Sequence, residues 1–224
     1  MVFKRLDQLE VGDWTAIGLN SNQFGNYQKA SDPEIAYLLG VLIGDGCLTI
    51  KNRTILSTAD SEVLEKVQEI SKKQLGKEFS KSDSRPYDYE LRDAEAKSKL
   101  LDFGLEETYA AGKKVPEWIK FAPKPFVVEF LRGIFDTDGY VDMNGSVGLS
   151  SASERLIKET GSLLLNLGVF ARQYERTKRY NGKKQFYLTI YGDFVNKFRN
   201  EIGFRIGRKQ QMLEKLCARQ RNTN

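Results

Sequence analysis

The chain has 224 residues and a formal net charge of +5, a length that suits one large domain or two small ones. It contains no histidine and only two cysteines, Cys47 and Cys217, which excludes histidine-based catalysis, histidine-ligated metals and a disulfide scaffold. The opening residues MVFKRLDQLE lack the apolar stretch of a signal peptide, and no apolar run approaches the roughly 20 residues of a membrane span. We therefore expect an intracellular protein, in the cytoplasm or nucleoid of a prokaryote or in an organelle.

The first predicted helix begins at Ser31–Glu34, where a capping side chain and a proline favour helix initiation, and ends at Gly46. Paired strands follow between Leu48 and Leu56, and a second helix runs from Ser61 to Gln74. Four apolar positions predict a buried stripe on the first helix: Ile35, Leu38, Leu39 and Leu42.

A cluster of basic and aromatic residues surrounds the turn signal at Ser84–Pro86. Its members are Lys77, Lys81, Arg85, Tyr87, Tyr89 and Arg92. Such interleaving is typical of surfaces that bind nucleic acid, and we treat this cluster as the weaker of two.

The second part of the chain repeats this order of elements. A helix after Pro125 ends at Gly139, paired strands follow from Tyr140 to Leu149, and a further helix runs from Ser153 to Leu167. The stretch from Arg172 to Tyr191 then predicts a hairpin around Asn181-Gly182. Alternation places four of its residues on one face: Arg172, Tyr174, Arg176 and Lys178. A β-ribbon of this kind can enter the major groove of DNA.

Charge is segregated along the chain. Residues 171–224 carry fourteen lysines and arginines against four acidic residues, whereas the remaining 170 residues are net acidic. This segregation indicates a polyanionic partner, and a solvated basic surface is the alternative.

Two segments of the chain are copies of each other. LLGVLIGDGCLTI at residues 38–50 corresponds to LRGIFDTDGYVDM at residues 131–143, so that Asp45 and Asp138 are 93 positions apart. Each copy predicts a helix, a strand pair, a second helix and a further strand pair. An internal repeat of this size predicts two similar halves.

Small residues recur four positions apart in both repeated helices, at Gly40, Gly44, Gly133 and Thr137. Small residues at this spacing let two helices approach closely, so we expect the repeated helices to pack together. Asp45 and Asp138 then emerge at the same end, where helix dipoles and carboxylates favour a cation. A single Asp-Gly with glycine in a left-handed conformation would be an ordinary helix stop.

The two segments, LLGVLIGDG and LRGIFDTDG, resemble the paired motifs of single-chain LAGLIDADG homing endonucleases. The resemblance implies an α+β fold of two pseudo-symmetric αββαββα halves packed through the motif helices, with antiparallel sheets forming a saddle for double-stranded DNA. It divides the chain into a leader (residues 1–30), a first half (31–124) and a second half (125–224). It also implies a monomer and a site-specific cut in a long, nearly asymmetric target.

In that family the last acidic residue of each motif binds Mg²⁺, which here implies Asp45 and Asp138 as catalytic ligands, with Gly44 and Thr137 completing the metal site. Mn²⁺ is expected to substitute, and Ca²⁺ to support binding without cleavage. Lys113, in Lys113–Pro116, resembles an accessory catalytic lysine of intein-encoded members, and Lys209 is its counterpart. The first motif departs from the pattern at Gly44 and at Ile43, where the second motif has Asp136.

DNA contacts are implied along the strands of both halves. The predicted contact residues are Lys51, Arg53, Lys81, Arg85, Tyr87, Arg92, Arg172, Tyr174, Arg176, Lys178 and Lys183. A DNA-binding regulator that does not cleave and an RNA maturase are the alternatives from other functional classes.

The opening segment RLDQLEVGDWTAIG resembles the end of an intein's amino-terminal splicing region, where a turn joins two strands. The residues that splicing requires are missing, so we expect an intein-derived endonuclease that does not splice. A simple hairpin leader on a free-standing or intron-encoded endonuclease is the alternative.

Overall fold

The computed structural model describes residues 4–13, 15–177 and 182–221. Its helices are α1 (Glu34–Asp45), α2 (Ser61–Leu75), α3 (Ala94–Asp102), α4 (Lys124–Asp138), α5 (Glu154–Asn166), α6 (Asp193–Glu201) and α7 (Gly207–Arg221). Its strands are β1 (Gly46–Cys47), β2 (Thr54–Ser57), β3 (Ser80–Lys81), β4 (Asp88–Leu91), β5 (Gly139–Asp142), β6 (Ser146–Ser151), β7 (Arg172–Thr177) and β8 (Lys184–Tyr191). The order αββαββα therefore occurs twice and is followed by α7. Within the described residues, no helix combines the length and apolar character needed to cross a membrane.

Two antiparallel sheets have the same strand order, β1-β2-β4-β3 and β5-β6-β8-β7. Their registers also correspond, because Gly46 pairs with Leu56 in the first sheet and Gly139 pairs with Leu149 in the second. Each pair is related to the other by the 93-residue offset of the sequence repeat. The predicted α+β fold with two pseudo-symmetric halves is confirmed.

Helices α1 and α4 form the centre of the molecule. A Cβ atom added at Gly40 would lie 2.3 Å from the carbonyl oxygen of Phe130, and one added at Gly133 would lie 2.3 Å from that of Tyr37. The two backbones are therefore in direct contact. Every residue from Ile35 to Ile43 is buried, so α1 is buried on all sides and has no single apolar stripe. Helix α4 is less completely buried, because Val128, Glu129 and Arg132 remain partly exposed.

Each motif helix continues into its first strand without a break. Gly46 and Gly139 have φ values of −92° and −80°, so neither adopts the left-handed conformation of an ordinary glycine stop. Glycine is needed for another reason, because added Cβ atoms would lie 2.2 Å and 2.4 Å from the carbonyl oxygens of Leu42 and Phe135. The preceding aspartates consequently lie where helix end and sheet meet.

Across residues 4–13 and 15–30 the leader lacks the expected pair of strands, and its regular structure is a 3-10 helix at Leu6–Gln8. Its backbone pairs with other parts of the molecule, as Asn20 N–H donates to Leu165 O (3.0 Å) and Tyr27 N–H donates to Phe121 O (3.2 Å). These long-range hydrogen bonds replace those of a local hairpin.

The hairpin predicted in the second half is present as β7 and β8, paired from Arg172↔Thr189 to Thr177↔Lys184. The predicted turn residue Asn181 and the predicted contact Lys178 lie outside the described residues.

Candidate active site and nucleic-acid interface

Asp45 and Asp138 are the last residues of α1 and α4, and both are half-buried. Burial raises the pKa of each carboxyl group above its usual value, and that of Asp138 reaches about 6 because the nearby charge of Asp45 adds to the effect. Two helix ends that also concentrate negative dipole charge here strengthen the preference for a cation.

Lys113 and Lys209 hold corresponding positions beside these aspartates. Lys113 Nζ donates to the carbonyl oxygens of Gly44 (2.9 Å) and Gly46 (3.1 Å). Lys209 Nζ donates to those of Thr137 (3.2 Å) and Gly139 (2.6 Å), which are the same two positions in the second copy. The structure therefore brings together both predicted lysines and both predicted aspartates.

The two lysines differ in how fully they are engaged. Lys209 Nζ also donates to the carbonyl oxygens of Phe135 (3.0 Å) and Asp136 (2.6 Å), which gives four acceptors for three N–H groups. Burial lowers the pKa of Lys209 to about 8 and also lowers that of Lys113. Lys209 is thus held as part of the helix end, whereas Lys113 is less constrained.

Asp136 carries a carboxylate that the first motif lacks. Its carboxylate is buried and accepts hydrogen bonds from the Tyr37 hydroxyl (2.9 Å) and the Arg205 backbone N–H (3.1 Å). Burial nevertheless raises its pKa to about 6. The first motif has Ile43 at the equivalent position and cannot make these bonds. The difference between the motifs was visible in the sequence, but its partners were not.

Two carboxylates at this site are suitable ligands for a hard divalent cation, but they are too few to fill its coordination shell. No group of three acidic, histidine or cysteine residues that could hold a metal occurs among the described residues. Gly44 and Thr137 were also predicted at the metal site, but their carbonyl oxygens accept hydrogen bonds from the two lysines. The paired aspartates are therefore the metal ligands best supported. Mg²⁺ commonly uses one or two carboxylates and completes its shell with water and substrate phosphates.

The outer face of the second sheet carries arginines stacked on tyrosines. The rings of Tyr174 and Tyr187 are parallel at 5.2 Å, and the Arg176 guanidinium lies 5.1 Å from the Tyr174 ring centre. Arg172, two residues before Tyr174 on β7, has its guanidinium 5.8 Å from the centre of the same ring. The described residues predicted for this face, Arg172, Tyr174 and Arg176, therefore do lie on one face of β7. Tyr187 on β8 also belongs to this face and was not predicted, although it lies opposite Tyr174 in the hairpin.

The arginines of the first sheet are paired with acidic side chains. Glu90 is buried and forms ion pairs with Arg92 (2.7 Å) and Arg53 (3.2 Å). Arg85 lies 3.4 Å from Asp88. Asp88 and Glu90 are two positions apart on β4, so strand alternation in the sequence already indicated that they share a face.

The remaining predicted contact residues are exposed and lie at strand ends or turns: Lys51, Lys81, Tyr87 and Lys183. No contact between these residues and the two aspartates is found among the described residues.

Comparison with known families adds to this geometry. Residues 125–203 match the family described as LAGLIDADG-like domain. The second half of the chain is therefore similar to LAGLIDADG-like domains. The first half shows the same order of elements, sheet topology and register.

Solved structures share this fold. The homing endonuclease I-DmoI, in complex with DNA and Ca, is 16% identical with a TM-score of 0.60, over 82% of this chain and 97% of that one. Full-length DUF199/WhiA from Thermatoga maritima is 17% identical with a TM-score of 0.55, over 86% of this chain and 62% of that one.

Similar sequences occur inside much longer proteins. A probable translation initiation factor IF-2 of Methanocaldococcus jannaschii is 31% identical over 84% of this chain, which spans 16% of that protein. The replicative DNA helicase DnaB of Synechocystis sp. is 30% identical over 99% of this chain, which spans 28% of it. The ribonucleoside-diphosphate reductase NrdEB subunit alpha of Bacillus subtilis is 28% identical over 78% of this chain, which spans 18% of it.

Proposed function

We propose that this protein is a Mg²⁺-dependent, site-specific DNA endonuclease that makes a double-strand break in a long, nearly asymmetric target. The observation that carries the proposal is the pairing of Asp45 and Asp138 at the ends of two helices in contact, with a lysine beside each. Two partly buried carboxylates whose charges repel each other are costly without a cation, and a bound divalent ion removes the cost.

Double-stranded DNA is the substrate that best fits the two sheets. Arginines on the outer face of the second sheet can contact phosphates, and side chains along the strands of both sheets can reach base edges in the major groove. Structures of I-DmoI with its target DNA and with Mn or Ca support both the substrate and the class of metal. One chain supplies both halves, so a monomer suffices.

Asp45 and Asp138 would hold the metal, which, when bound, lowers the pKa of an attacking water and stabilises the departing 3′ oxygen. Lys113 has two carbonyl acceptors among the described residues, which leaves one N–H group to direct at a phosphate oxygen. Lys209, with four acceptors, keeps the end of α4 in place beside Asp138.

An intein origin is part of this proposal. The relatives include a translation factor, a helicase and a reductase subunit, whose activities have nothing in common. A segment of similar length that recurs within such different proteins is typical of an inserted element.

A DNA-binding protein that does not cleave is the second candidate, because DUF199/WhiA has the same fold. Replacing Asp45 or Asp138 with asparagine separates the two functions. For a nuclease, either change abolishes cleavage of a target duplex in Mg²⁺ while the dissociation constant in Ca²⁺ stays within about threefold, which is a change of less than 1 kcal/mol. Wild-type protein that binds the duplex without cutting it would favour the second candidate.

A further inference from the structure

The segment that carries each accessory lysine is attached to the opposite half of the molecule. Lys113 lies between the halves and contacts the end of α1, yet its backbone carbonyl accepts a hydrogen bond from Ser153 Oγ (2.5 Å), which caps α5 in the second half. Two residues later, Val115 N–H donates to Glu159 Oε2 (2.9 Å), also on α5. The first half-site is thus held by a helix of the second half.

Lys209 shows the reciprocal arrangement. It contacts the end of α4, but the backbone N–H of Gly207 donates to Glu62 Oε2 (2.8 Å) on α2. The Arg208 guanidinium pairs with Asp60 (3.1 Å), the residue that precedes α2. Asp60 and Ser153 are themselves related by the 93-residue offset of the repeat. The second half-site is thus held by a helix of the first half.

A pocket beside Asp45 opens at one of these junctions and is lined in part by Asp60, Thr137 and Arg208. The contact between α2 and the Lys209 segment therefore forms a wall of the site itself. A displacement of this segment would therefore change the shape of the site beside Asp45.

We propose that Glu62 and Glu159 are positioning residues, each holding the accessory lysine of the half-site opposite to its own half. This inference rests on the proposed nuclease function. Each half then prepares the other half's site, so that cleavage of each strand requires both halves to be docked. Neither glutamate touches the aspartates, and each acts through the backbone of a lysine segment.

Strand-resolved cleavage of a target duplex, labelled differently on its two strands, tests this assignment. Glu62→Ala should slow the same strand as Lys209→Met, and Glu159→Ala should slow the same strand as Lys113→Met. We expect losses of roughly 10- to 100-fold, since a displacement of about 1 Å can cost this much. The dissociation constant for DNA in Ca²⁺ and the melting temperature should be unchanged for Glu62→Ala.

Two controls distinguish positioning from general damage. Glu65→Ala removes the same charge from an exposed site on the same helix and should leave both strands unaffected. Glu62→Gln and Glu159→Gln keep an acceptor oxygen and should restore most of the rate.

The inference is overturned if wild-type protein cuts both strands while Glu62→Ala behaves like Glu65→Ala, slows both strands equally, or slows the strand that depends on Lys113. A wild-type protein that cuts neither strand would instead overturn the nuclease function, and the inference with it.

Discussion

Burial makes a charge more costly for the ionisable groups at the motif ends than it is for free side chains. Burial raises the pKa of both aspartates and lowers that of both lysines. All four shifts disfavour charge, which means that the site is incomplete until a cation and a phosphate supply opposite charges. Such shifts are common at functional sites.

Cleavage should fall as the pH is lowered through about 6, the value that Asp138 reaches in this structure. Below this pH the carboxyl group is protonated and no longer a good metal ligand. Because metal and protons compete, raising the Mg²⁺ concentration should move the midpoint to lower pH. Single-turnover rates between pH 5 and 8 at two Mg²⁺ concentrations measure this shift. A midpoint that is the same at both concentrations would contradict the competition between metal and protons.

The aspartates of the repeated motif could be identified from the sequence, but the glutamates that hold the lysine segments could not. Asp45 and Asp138 follow from two copies of one motif. Glu62 and Glu159 act on segments far away in the chain, and nothing in their local sequence distinguishes them from other surface glutamates. Their roles depend on how the halves dock, which is a property of the whole fold.

Helix α1 illustrates what tertiary packing adds at the scale of an element. Its boundaries were predictable from capping residues and glycine, but its burial on every side was not. A stripe of apolar positions indicates one buried face, and the remaining faces are buried only because α4, α2 and β2 all contact this helix.

The close approach of α1 and α4 should make Gly40 intolerant of a side chain. In Gly40→Ala the new methyl group would meet the Phe130 carbonyl oxygen, which is part of a helix backbone and cannot rotate away. We expect a loss of about 1–3 kcal/mol in the free energy of unfolding, the usual cost of overpacking. Urea denaturation measures this loss. Gly18→Ala, where an added Cβ meets nothing within 4 Å, is the matched control, and equal effects of both changes would contradict the packing described.

The two halves share a topology but present different surfaces to a nucleic acid. The second sheet offers arginines stacked on tyrosines, whereas the first sheet offers arginines held by acidic residues. The segregation of charge along the sequence predicted a basic second half. It could not predict that Glu90 neutralises arginines of the first sheet, because this depends on strand register.

Removing the Glu90 charge should strengthen binding to DNA of unrelated sequence. Glu90→Gln weakens the hold on Arg53 and Arg92, which can then reach phosphates. The logarithm of the binding constant should fall more steeply with the logarithm of salt concentration, by about 1 for each new phosphate contact. Glu78→Gln makes the same charge change in an exposed ion pair with Lys72, which lies on α2 and not on the strands, and should have no such effect. Identical salt slopes for both variants would show that the first-sheet arginines are not restrained by Glu90.

A single molecule of this protein should cut both strands of a specific DNA site. In the deciding experiment, the purified protein is incubated with fragmented genomic DNA and Mg²⁺ at low salt, and all new ends are sequenced. We expect ends that recur at a few long, related sites, with staggered cuts on the two strands, and that disappear with Asp45→Asn. Retention of DNA on the protein without any new ends would refute site-specific cleavage.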